Sequence, residues 1–348
     1  MSSFRSPEAT PPRLTLAHLP TPLAHDERLS SLLGVELWVK RDDMTGGAEA
    51  GNKIRKLEFL FADALARGAR RIITCGGIQS NHARATAILA RRLGLECVLL
   101  LRVEGRGAKR SDEEGAVSGP DRDADPKTLP LTGNVLLDRL AGARIRTITP
   151  ADYARRNACM MHVSEETPHS YVIPEGGSNG LGAFGYVEAM REVREQKRDV
   201  FDVVVHACGS GGTAAGVALG CALHGTGKRV HAVAVCDDAA YFERAIADVV
   251  IEARAIAKLP EPAPLVVDDR SKGPRYAVMD AEQRAFLVMV ARESGLVLDP
   301  VYTGKAMFGL RAAILRGDIP RASRVLFLHT GGLPGLLADG DTFHAELA

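Results

Sequence analysis

The sequence predicts an α/β protein with mostly parallel strands, and three observations support this fold class. Short apolar segments typical of buried strands are followed by glycine-rich loops and then by helical patterns, and this order occurs in both halves of the chain. The length of 348 residues corresponds to about two domains. Hydrophobic residues make up 46% of the chain, so a sizeable core can form and disorder is excluded as the default.

The N-terminal half alternates between strands and helices. Residues 36–40 alternate in polarity as a half-buried strand does, whereas Ile54, Leu57 and Phe61 recur at helical spacing. The predicted elements are a strand at 36–40, a loop at 45–50, a helix from 52, a strand at 71–75, a helix at 81–93 and a strand at 97–101.

The C-terminal half repeats this order after a long polar stretch. Residues 103–130 are rich in Gly, Asp, Arg, Lys and Pro, which predicts a surface loop; we interpret it as a solvated insertion, with a lid as the alternative. The later predicted elements are a strand at 201–206, a loop at 209–212, a helix at 213–223, and strands at 230–235 and 324–328.

Charge and composition restrict the class of partner. Lys and Arg total 44 and Asp and Glu 43, so the formal net charge is +1 and gives no reason to expect nucleic acid or an anionic membrane. Aromatic residues make up only 5%, which argues against stacking platforms for single strands. Composition therefore favours neither nucleic acid nor a membrane as the partner.

The cysteines and the N-terminus indicate a cytoplasmic protein. The six cysteines form no CxxC pair and no zinc-like spacing, so reduced thiols and no metal are expected. Residues 1–13 lack the apolar core of a secretory signal, and no apolar stretch approaches the roughly 20 residues of a membrane span.

A glycine-rich turn at 209–213 follows a predicted strand and opens a helix. Gly209, Gly211 and Gly212 allow backbone amides to converge on an anion, and Ser210 and Thr213 add hydroxyl donors, which predicts a phosphate site. The spacing matches neither the Walker A loop nor the dinucleotide GxGxxG fingerprint. A turn that merely tightens the joint between strand and helix is the alternative.

A second candidate is Lys53, which lies at the predicted start of a helix. An amine near the positive end of a helix loses its proton more easily, as a lysine that forms a Schiff base requires. Lys56, three residues on, could contact a phosphate. A solvated basic helix face is the alternative.

Two further turns carry polar side chains at predicted helix starts. Ser80, Asn81 and His82 would offer free amides to a carboxylate, although an ordinary N-cap explains them equally well. Tyr302 also precedes a helix, but a tyrosine there is usually part of the core, and Lys305 is interpreted as a surface charge.

Taken together, these motifs resemble the fold-type II pyridoxal-phosphate enzymes, and within them the family of 1-aminocyclopropane-1-carboxylate deaminase and D-cysteine desulfhydrase. The resemblance extends from about residue 18 to 335 apart from 103–130, and five blocks carry it in order. These are Lys-Arg-Asp-Asp at 40–43; Gly-Asn-Lys at 51–53 with Arg-Lys-Leu-Glu at 55–58; Gly-Ile-Gln-Ser-Asn at 77–81; Ile-Pro at 173–174 with Gly-Gly-Ser-Asn at 176–179 and Gly182; and Asp-Pro-Val-Tyr at 299–302.

The resemblance implies two three-layer α/β domains with mostly parallel sheets and the cofactor in the cleft between them. Residues 1–52 and 171–348 would form the large domain, and 53–170 the small one with the insertion near 103–130. The family is usually a homodimer, so a homodimer is expected here.

The resemblance also implies roles for individual residues. Lys53 would form the Schiff base with pyridoxal 5'-phosphate and later remove the Cα proton, while Asn81 would bond the phenolic oxygen of the cofactor. The other implied groups are the phosphate site of Gly209, Ser210, Gly211, Gly212 and Thr213 with Lys56; the carboxylate site of Ser80 with the backbone of Asn81 and His82; and two tyrosines on the substrate face, Tyr276 and Tyr302.

Three positions favour the desulfhydrase side of the family. His82, Thr303 and Thr330 stand where the deaminase side has Gln, Glu and an apolar residue. Thr303 beside the pyridine nitrogen would hold a proton less well than Glu, so the electron sink is weaker. Loss of a thiolate needs less of that sink than opening a cyclopropane ring. We expect α,β-elimination of a β-substituted alanine, most simply D-cysteine, to pyruvate, hydrogen sulfide and ammonia.

Several alternatives stay open. An L-cysteate sulfo-lyase would need a cation near Cβ, for which His82, Arg84 and Arg275 are candidates. A deaminase of 1-aminocyclopropane-1-carboxylate comes next, followed by a nicotinamide oxidoreductase and a non-catalytic binder of the cofactor. Positions that depart from the family pattern are Ala50, Glu175, Cys208 and Leu333.

Overall fold

The strands of the computed structural model, which describes residues 10–103, 123–125 and 128–348, form two separate sheets. The strands are β1 (Leu23–His25), β2 (Glu36–Arg41), β3 (Arg71–Gly77), β4 (Glu96–Arg102), β5 (Arg144–Ile148), β6 (Ser170–Val172), β7 (Val203–Cys208), β8 (Val230–Ala234), β9 (Leu265–Asp268) and β10 (Arg324–His329). Of the predicted insertion at 103–130, residues 104–122 and 126–127 lie outside the described residues.

The helices lie between and after these strands. They are α1 (Glu27–Leu33), α2 (Lys53–Ala66), α3 (Asn81–Arg92), α4 (Gly133–Leu140), α5 (Pro150–Ala154), α6 (Arg156–Glu165), α7 (Gly180–Gln196), α8 (Gly212–His224), α9 (Ala239–Ile256), α10 (Ala281–Ser294), α11 (Thr303–Arg316), α12 (Leu333–Ala338) and α13 (His344–Leu347). No helix in the described part of the chain is long and apolar enough to cross a membrane.

The larger sheet joins the two ends of the chain. Its order is β1-β2-β10-β7-β8-β9, and every pair is parallel except β1 with β2. Phe327 of β10 is in register with Val39 of β2 on one side and Val205 of β7 on the other. The C-terminal strand thus lies between an N-terminal strand and one from the middle of the chain.

Both faces of this sheet are covered by helices. Val203 and Val205 point into a core with α1, α10 and α11, whereas Val204 between them points into a core with α7 and α8. This alternation follows from the period of two in a strand. The predicted three-layer arrangement is confirmed.

The smaller sheet is entirely parallel, in the order β5-β4-β3-β6. Ile72 packs with α2, α3 and α4 on one face, and Ile73 with α5 and α6 on the other. Its last strand extends to Val172, two residues beyond the predicted boundary at 170. Leu14, Leu16 and Ala17 also pack on this core, although they belong to the segment assigned to the large domain.

The predicted elements occur with small shifts at their ends. The predicted strand at 201–206 begins two residues later as β7, because Phe201 forms an isolated bridge with Gly227 instead. The predicted strand at 71–75 continues to Gly77 as β3. These shifts matter for the site, because they place Gly77 and Cys208 at the carboxyl ends of central strands.

Candidate active site

A cavity of about 750 Å³ lies where the carboxyl ends of the two sheets meet. Gly77 at the end of β3 and Cys208 at the end of β7 line it, together with the first residues of α2, α3 and α8. Ligands in parallel α/β folds bind at this edge of the sheet, where helix amino termini converge.

The structure brings most of the predicted site residues to this one cavity. Those that line it are Lys53, Ser80, Asn81, His82, Gly209, Ser210, Gly211, Thr213, Tyr276, Tyr302 and Thr330. Three predicted residues, Lys56, Gly212 and Thr303, lie behind the wall.

Lys53 is the first residue of α2, as predicted, and its side chain reaches the cavity. The loop before it is fixed, since the amide of Asn52 donates to the carbonyl of Thr330 at 3.1 Å. Burial lowers the pKa of the Lys53 ammonium to about 8, against the opposing effects of Glu175 and Cys208. The lowered pKa is the one expected from the sequence, but its main cause is desolvation and not the helix end.

The glycine turn at 209–213 requires glycine at two of its positions. Gly211 has φ of +81°, which favours glycine, and a Cβ on Gly212 would lie 2.6 Å from the hydroxyl of Ser178. The amide of Gly212 donates to that hydroxyl at 3.3 Å, so its direct contact with a phosphate is not shown. Ser178 in turn lies 2.8 Å from Ser210, oxygen to oxygen.

Lys56 approaches the same turn from behind. Its ammonium donates to the carbonyl of Gly176 at 3.2 Å and to the hydroxyl of Ser178 at 3.4 Å, and its side chain is buried. Among the described residues, no carboxylate lies within ion-pair distance. Burial and the charge of Lys53 lower the pKa of Lys56 well below its usual range. An anion bound on the turn would compensate this buried charge.

The start of α3 offers two amides. Ser80 is the N-cap, and its hydroxyl accepts from the amide of Ala83 at 3.2 Å, while its own amide bonds Gly77 in a turn. Within the described part of the chain, the amides of Asn81 and His82 have no partner, as expected in a first helical turn. These amides and the Ser80 hydroxyl are the groups for which the sequence predicts a carboxylate site. Burial, with Lys53 nearby, lowers the pKa of His82, so the ring is neutral.

The side chain of Asn81 is held in one orientation. Its amide oxygen accepts from the side-chain nitrogen of Asn134 at 3.2 Å and from the guanidinium of Arg84 at 3.3 Å. Arg84 also donates to the carbonyl of Ala50 at 2.5 Å, so it links this helix to the loop that leads to Lys53. Because its oxygen is occupied, Asn81 can present only its NH₂ donors to the cavity.

Two tyrosines form the opposite wall. The hydroxyl oxygens of Tyr276 and Tyr302 are 2.7 Å apart, and the rings meet edge to face. Burial raises the pKa of both, so the hydroxyls are neutral. Gly77 and Gly209 make room for them, since a Cβ at either position would lie 3.1–3.2 Å from a tyrosine ring.

Thr303 has a different position from the one the resemblance implies. Its hydroxyl donates to the carboxylate of Asp299 at 2.7 Å and accepts from the amide of Asp299 at 2.8 Å, and the side chain is fully buried. The same carboxylate accepts from the amides of Val301 and Tyr302, so it caps the start of α11. Thr303 is therefore part of this cap and is not on the cavity wall.

A polar cluster that the sequence does not predict lies at the outer end of the cavity. The carboxylate of Glu175 accepts a short hydrogen bond from Tyr153 and forms an ion pair with Arg156 at 2.8 Å. Arg156 on α6 also donates to the hydroxyl of Tyr241 on α9 at 3.3 Å, which joins the two halves of the molecule. Glu175 was noted only as a departure, and no sequence signal marked Tyr153, Arg156 or Tyr241.

The donor set fits a phosphorylated aldehyde such as pyridoxal 5'-phosphate. Lys53 supplies a primary amine with a lowered pKa, and Asn81 supplies side-chain N–H donors. The turn at 209–213 and the buried ammonium of Lys56 would hold an anion. The amides of the α3 start supply a separate carboxylate site.

Comparisons with known proteins agree with this geometry. A family model described as pyridoxal-phosphate dependent enzyme matches residues 14–331. The chain is 42% identical to the bifunctional D-cysteine desulfhydrase/1-aminocyclopropane-1-carboxylate deaminase of Arabidopsis thaliana, over 92% of this chain and 78% of that one. It is 40% identical to a D-cysteine desulfhydrase of Klebsiella pneumoniae, over 94% and 96% of the two chains.

A solved structure agrees as well. The crystal structure of a homologue of 1-aminocyclopropane-1-carboxylate deaminase superimposes with a TM-score of 0.81 and 32% identity, over 97% of this chain and 96% of that one. On these grounds the chain belongs to the family of pyridoxal-phosphate dependent enzymes.

Proposed function

We propose that this enzyme is a carbon–sulfur lyase that converts D-cysteine to pyruvate, hydrogen sulfide and ammonia by α,β-elimination. The observation that carries the proposal is that the Lys53 amine, the glycine turn at 209–213 and the first residues of α3 line one cavity. The D-cysteine desulfhydrase names of similar proteins support the choice of substrate. His82 and Thr330, two of the positions that favour this side of the family, line the cavity.

The cofactor, when bound, stabilises negative charge that develops at Cα of the amino acid. Lys53 and the turn at 209–213 would hold it, with Lys56 assisting at the phosphate. The amides of Asn81 and His82 and the hydroxyl of Ser80 bind and orient the substrate carboxylate. Substrate orientation thus depends on α3, whereas cofactor attachment depends on α2 and α8.

Lys53 removes the Cα proton in this proposal. Its pKa of about 8 leaves part of the amines neutral at physiological pH, which suits a general base. The proton moves from Cα to Nζ, the Cβ–S bond breaks, and the sulfur leaves with the electron pair. The remaining aminoacrylate hydrolyses to pyruvate and ammonia.

The tyrosine pair can protonate the leaving sulfur. One hydroxyl proton lies between Tyr276 and Tyr302, so the pair keeps a second proton to donate. Because burial raises the pKa of both tyrosines, that proton is retained until a basic thiolate develops nearby. Tyr302→Phe removes the pair, and unchanged elimination kinetics in this variant would exclude the role.

The alternative L-cysteate substrate has less support. Of the three cations considered for a sulfonate, Arg84 lies behind the wall and is bonded to Ala50 and Asn134, and His82 is neutral. Of the three, only Arg275 is a cation on the cavity wall, so an L-cysteate substrate would depend on that residue.

Substrate profiling tests the proposal. D-cysteine, L-cysteine, L-cysteate and 1-aminocyclopropane-1-carboxylate are offered to the purified holoenzyme, and pyruvate, sulfide, sulfite and 2-oxobutyrate are measured, with Lys53→Ala as the blank. We expect pyruvate and sulfide from D-cysteine at the highest kcat/KM. Sulfite from L-cysteate or 2-oxobutyrate at a higher kcat/KM would replace the proposed substrate.

We also propose that the enzyme is a homodimer. Helices α4 and α12 pack on one another and expose four leucines, Leu136, Leu140, Leu333 and Leu337. An apolar patch of this kind is typical of an interface between copies. Light scattering should give twice the chain mass, and Leu140→Asp with Leu337→Asp should give a monomer.

A cytoplasmic location is proposed from the cysteines. All six are free thiols, and five are buried. Unpaired thiols are typical of a reducing compartment. Cell fractionation checks this.

A further inference from the structure

We propose that Lys305 is a positioning residue that holds the segment carrying Tyr276 against Tyr302 and thereby sets the substrate face of the cavity. The proposal rests on the proposed function, because the two tyrosines matter only if an amino acid binds between them and the cofactor. The sequence analysis had interpreted this lysine as a surface charge.

The ammonium of Lys305 is fully buried and bonded entirely to backbone. It donates to the carbonyls of Lys272 at 2.6 Å, Arg275 at 2.9 Å and Val235 at 3.3 Å. An ammonium has three protons, so all of them are used. The lysine therefore connects α11 to two separate stretches of chain.

Both stretches lie on the cavity wall. The carbonyl of Arg275 belongs to the peptide bond that joins it to Tyr276, so a hydrogen bond there fixes the backbone of that tyrosine. Val235 precedes Cys236, another lining residue. Tyr302 immediately precedes α11 and lies about one helical turn from Lys305. One side chain thus sets the distance between the two tyrosine backbones.

The segment carrying Tyr276 has little regular structure to hold it otherwise. Residues 269–280, between β9 and α10, contain only an isolated bridge from Arg275 to Val278. Gln283 and Arg284 give further backbone anchors, since their side chains donate to the carbonyls of Ser271 at 2.8 Å and Met279 at 2.9 Å. Of these backbone anchors, Lys305 holds the residue next to the tyrosine.

The chemistry of the lysine favours a local role over a general contribution to stability. Within the described residues no carboxylate lies at ion-pair distance from it, although Asp280, Asp299 and the Cys236 thiol raise its affinity for a proton from farther away. Desolvation nevertheless lowers the pKa of Lys305 to about 8. Burying an ammonium without a counter-ion lowers the stability of the folded protein. Lys305 is nevertheless buried where its three hydrogen bonds hold the backbone of the cavity wall.

A double-mutant cycle with Tyr276 tests the inference. Lys305→Met removes all three donors at similar volume, and Tyr276→Phe removes the hydroxyl that the lysine positions. We expect Lys305→Met to lower kcat/KM for pyruvate release about tenfold in the native background and less than about threefold in the Tyr276→Phe background. Arg311→Met, which removes a half-buried cation on the same helix that is not on the cavity wall, is the matched control and should leave kcat/KM unchanged.

Two readouts separate positioning from a merely structural role. Hydrogen exchange of the backbone at 269–280 should accelerate in Lys305→Met, while the helices and strands keep their protection. The cofactor dissociation constant should stay within about twofold of the native value. Equal losses of kcat/KM in both backgrounds, or a loss of cofactor affinity as large as the loss of kcat/KM, would overturn the inference.

A second variant and the hydrogen-exchange readout distinguish a variant that fails to fold from an incorrect proposed function. Lys305→Gln retains two N–H donors and replaces Lys305→Met in the cycle if the latter does not fold. If the native enzyme releases no pyruvate from any substrate, the proposed function is wrong, and the exchange of residues 269–280 still decides whether Lys305 holds them.

Discussion

Two neighbouring residues of α2, Arg55 and Lys56, are both buried cations in opposite electrostatic surroundings. Arg55 donates to Asp42 at 2.8 Å and to Glu192 at 2.9 Å, and Lys40 adds a second cation bonded to Glu192. Burial opposes the charge of Arg55, but the two carboxylates prevail and raise its pKa.

Lys56 has only neutral partners, and its pKa is lowered by burial. The difference distinguishes two roles: Arg55 belongs to a scaffold that holds α2, whereas Lys56 belongs to the proposed ligand site. The charges of Arg55, Asp42, Glu192 and Lys40 are balanced within the protein, so that cluster holds α2 in place without a ligand. In the proposed site the cofactor phosphate would balance the charge of Lys56 and remove the electrostatic cost of burying that ammonium without an anion.

The largest expected effect is at Lys53, the cation of this helix that lines the cavity. Lys53→Ala should remove the visible absorbance of the bound cofactor and lower pyruvate formation about 10⁴-fold, since the covalent link and the base are lost together. Absorbance spectra and a pyruvate assay measure this. A variant that keeps both would show that another amine holds the cofactor.

Breaking the balanced cluster should lower the free energy of unfolding and leave cofactor binding unchanged. Glu192→Gln leaves Lys40 and part of Arg55 without a counter-charge, so the free energy of unfolding should fall by about 3 kcal/mol. Urea unfolding of the cofactor-free protein gives this value. The cofactor dissociation constant of the folded variant should be unchanged; a large rise would remove the distinction between scaffold and site.

Lys56→Met is the converse experiment. The cofactor-free variant should be at least as stable as the native protein, whereas the cofactor dissociation constant should rise about 10- to 100-fold, because charge-assisted hydrogen bonds to phosphate are lost. Fluorescence titration measures the affinity. Arg67→Met, an exposed cation beyond the end of α2, is the control. Loss of stability without loss of affinity would assign Lys56 to the scaffold.

The pH dependence of cofactor loading sharpens the comparison further. The folded protein lowers the pKa of Lys53 to about 8, so the neutral, nucleophilic amine is the minor form below that pH and the major form above it. The rate of covalent attachment should rise about tenfold per unit up to pH 8 and then level off. Stopped-flow absorbance follows it. Lys56→Met should shift the plateau little, and a rate that is flat from pH 6 to 9 would contradict the assignment.

The smallest effect is expected at Arg84, a buried cation that acts through another residue. Arg84→Met removes donors to Asn81, Asn134 and Ala50 and should weaken cofactor binding about fivefold, because Asn81 is then oriented less firmly. Burial lowers the pKa of Arg84 to about 10, so it stays charged at neutral pH. Arg84→Lys, which can keep one bond, should be intermediate. Native affinity in both variants would show that Asn81 is oriented by Asn134 alone.

Much of this molecule follows from local sequence pattern. The alternation of apolar runs, glycine loops and helical spacing predicted β2, β3, β4, β7, β8 and β10 and the helices α2, α3 and α8 to within a few residues. Hydrophobic periodicity and the glycines between segments depend only on residues close together in the chain, so they can be recognised in the sequence. The ordered motifs around Lys53, Asn81 and the turn at 209–213 also predicted the family and the cofactor.

Tertiary structure decided which charges are balanced and which polar groups face the cavity. Nothing in the order of residues shows that Arg55 meets Glu192, that Thr303 bonds Asp299 behind the wall, or that Lys305 is buried among backbone carbonyls. Those contacts join residues far apart in the chain, or turn a side chain away from the surface its polarity suggests. Burial and long-range pairing are set by packing, and packing emerges only when both sheets and their helices are in place.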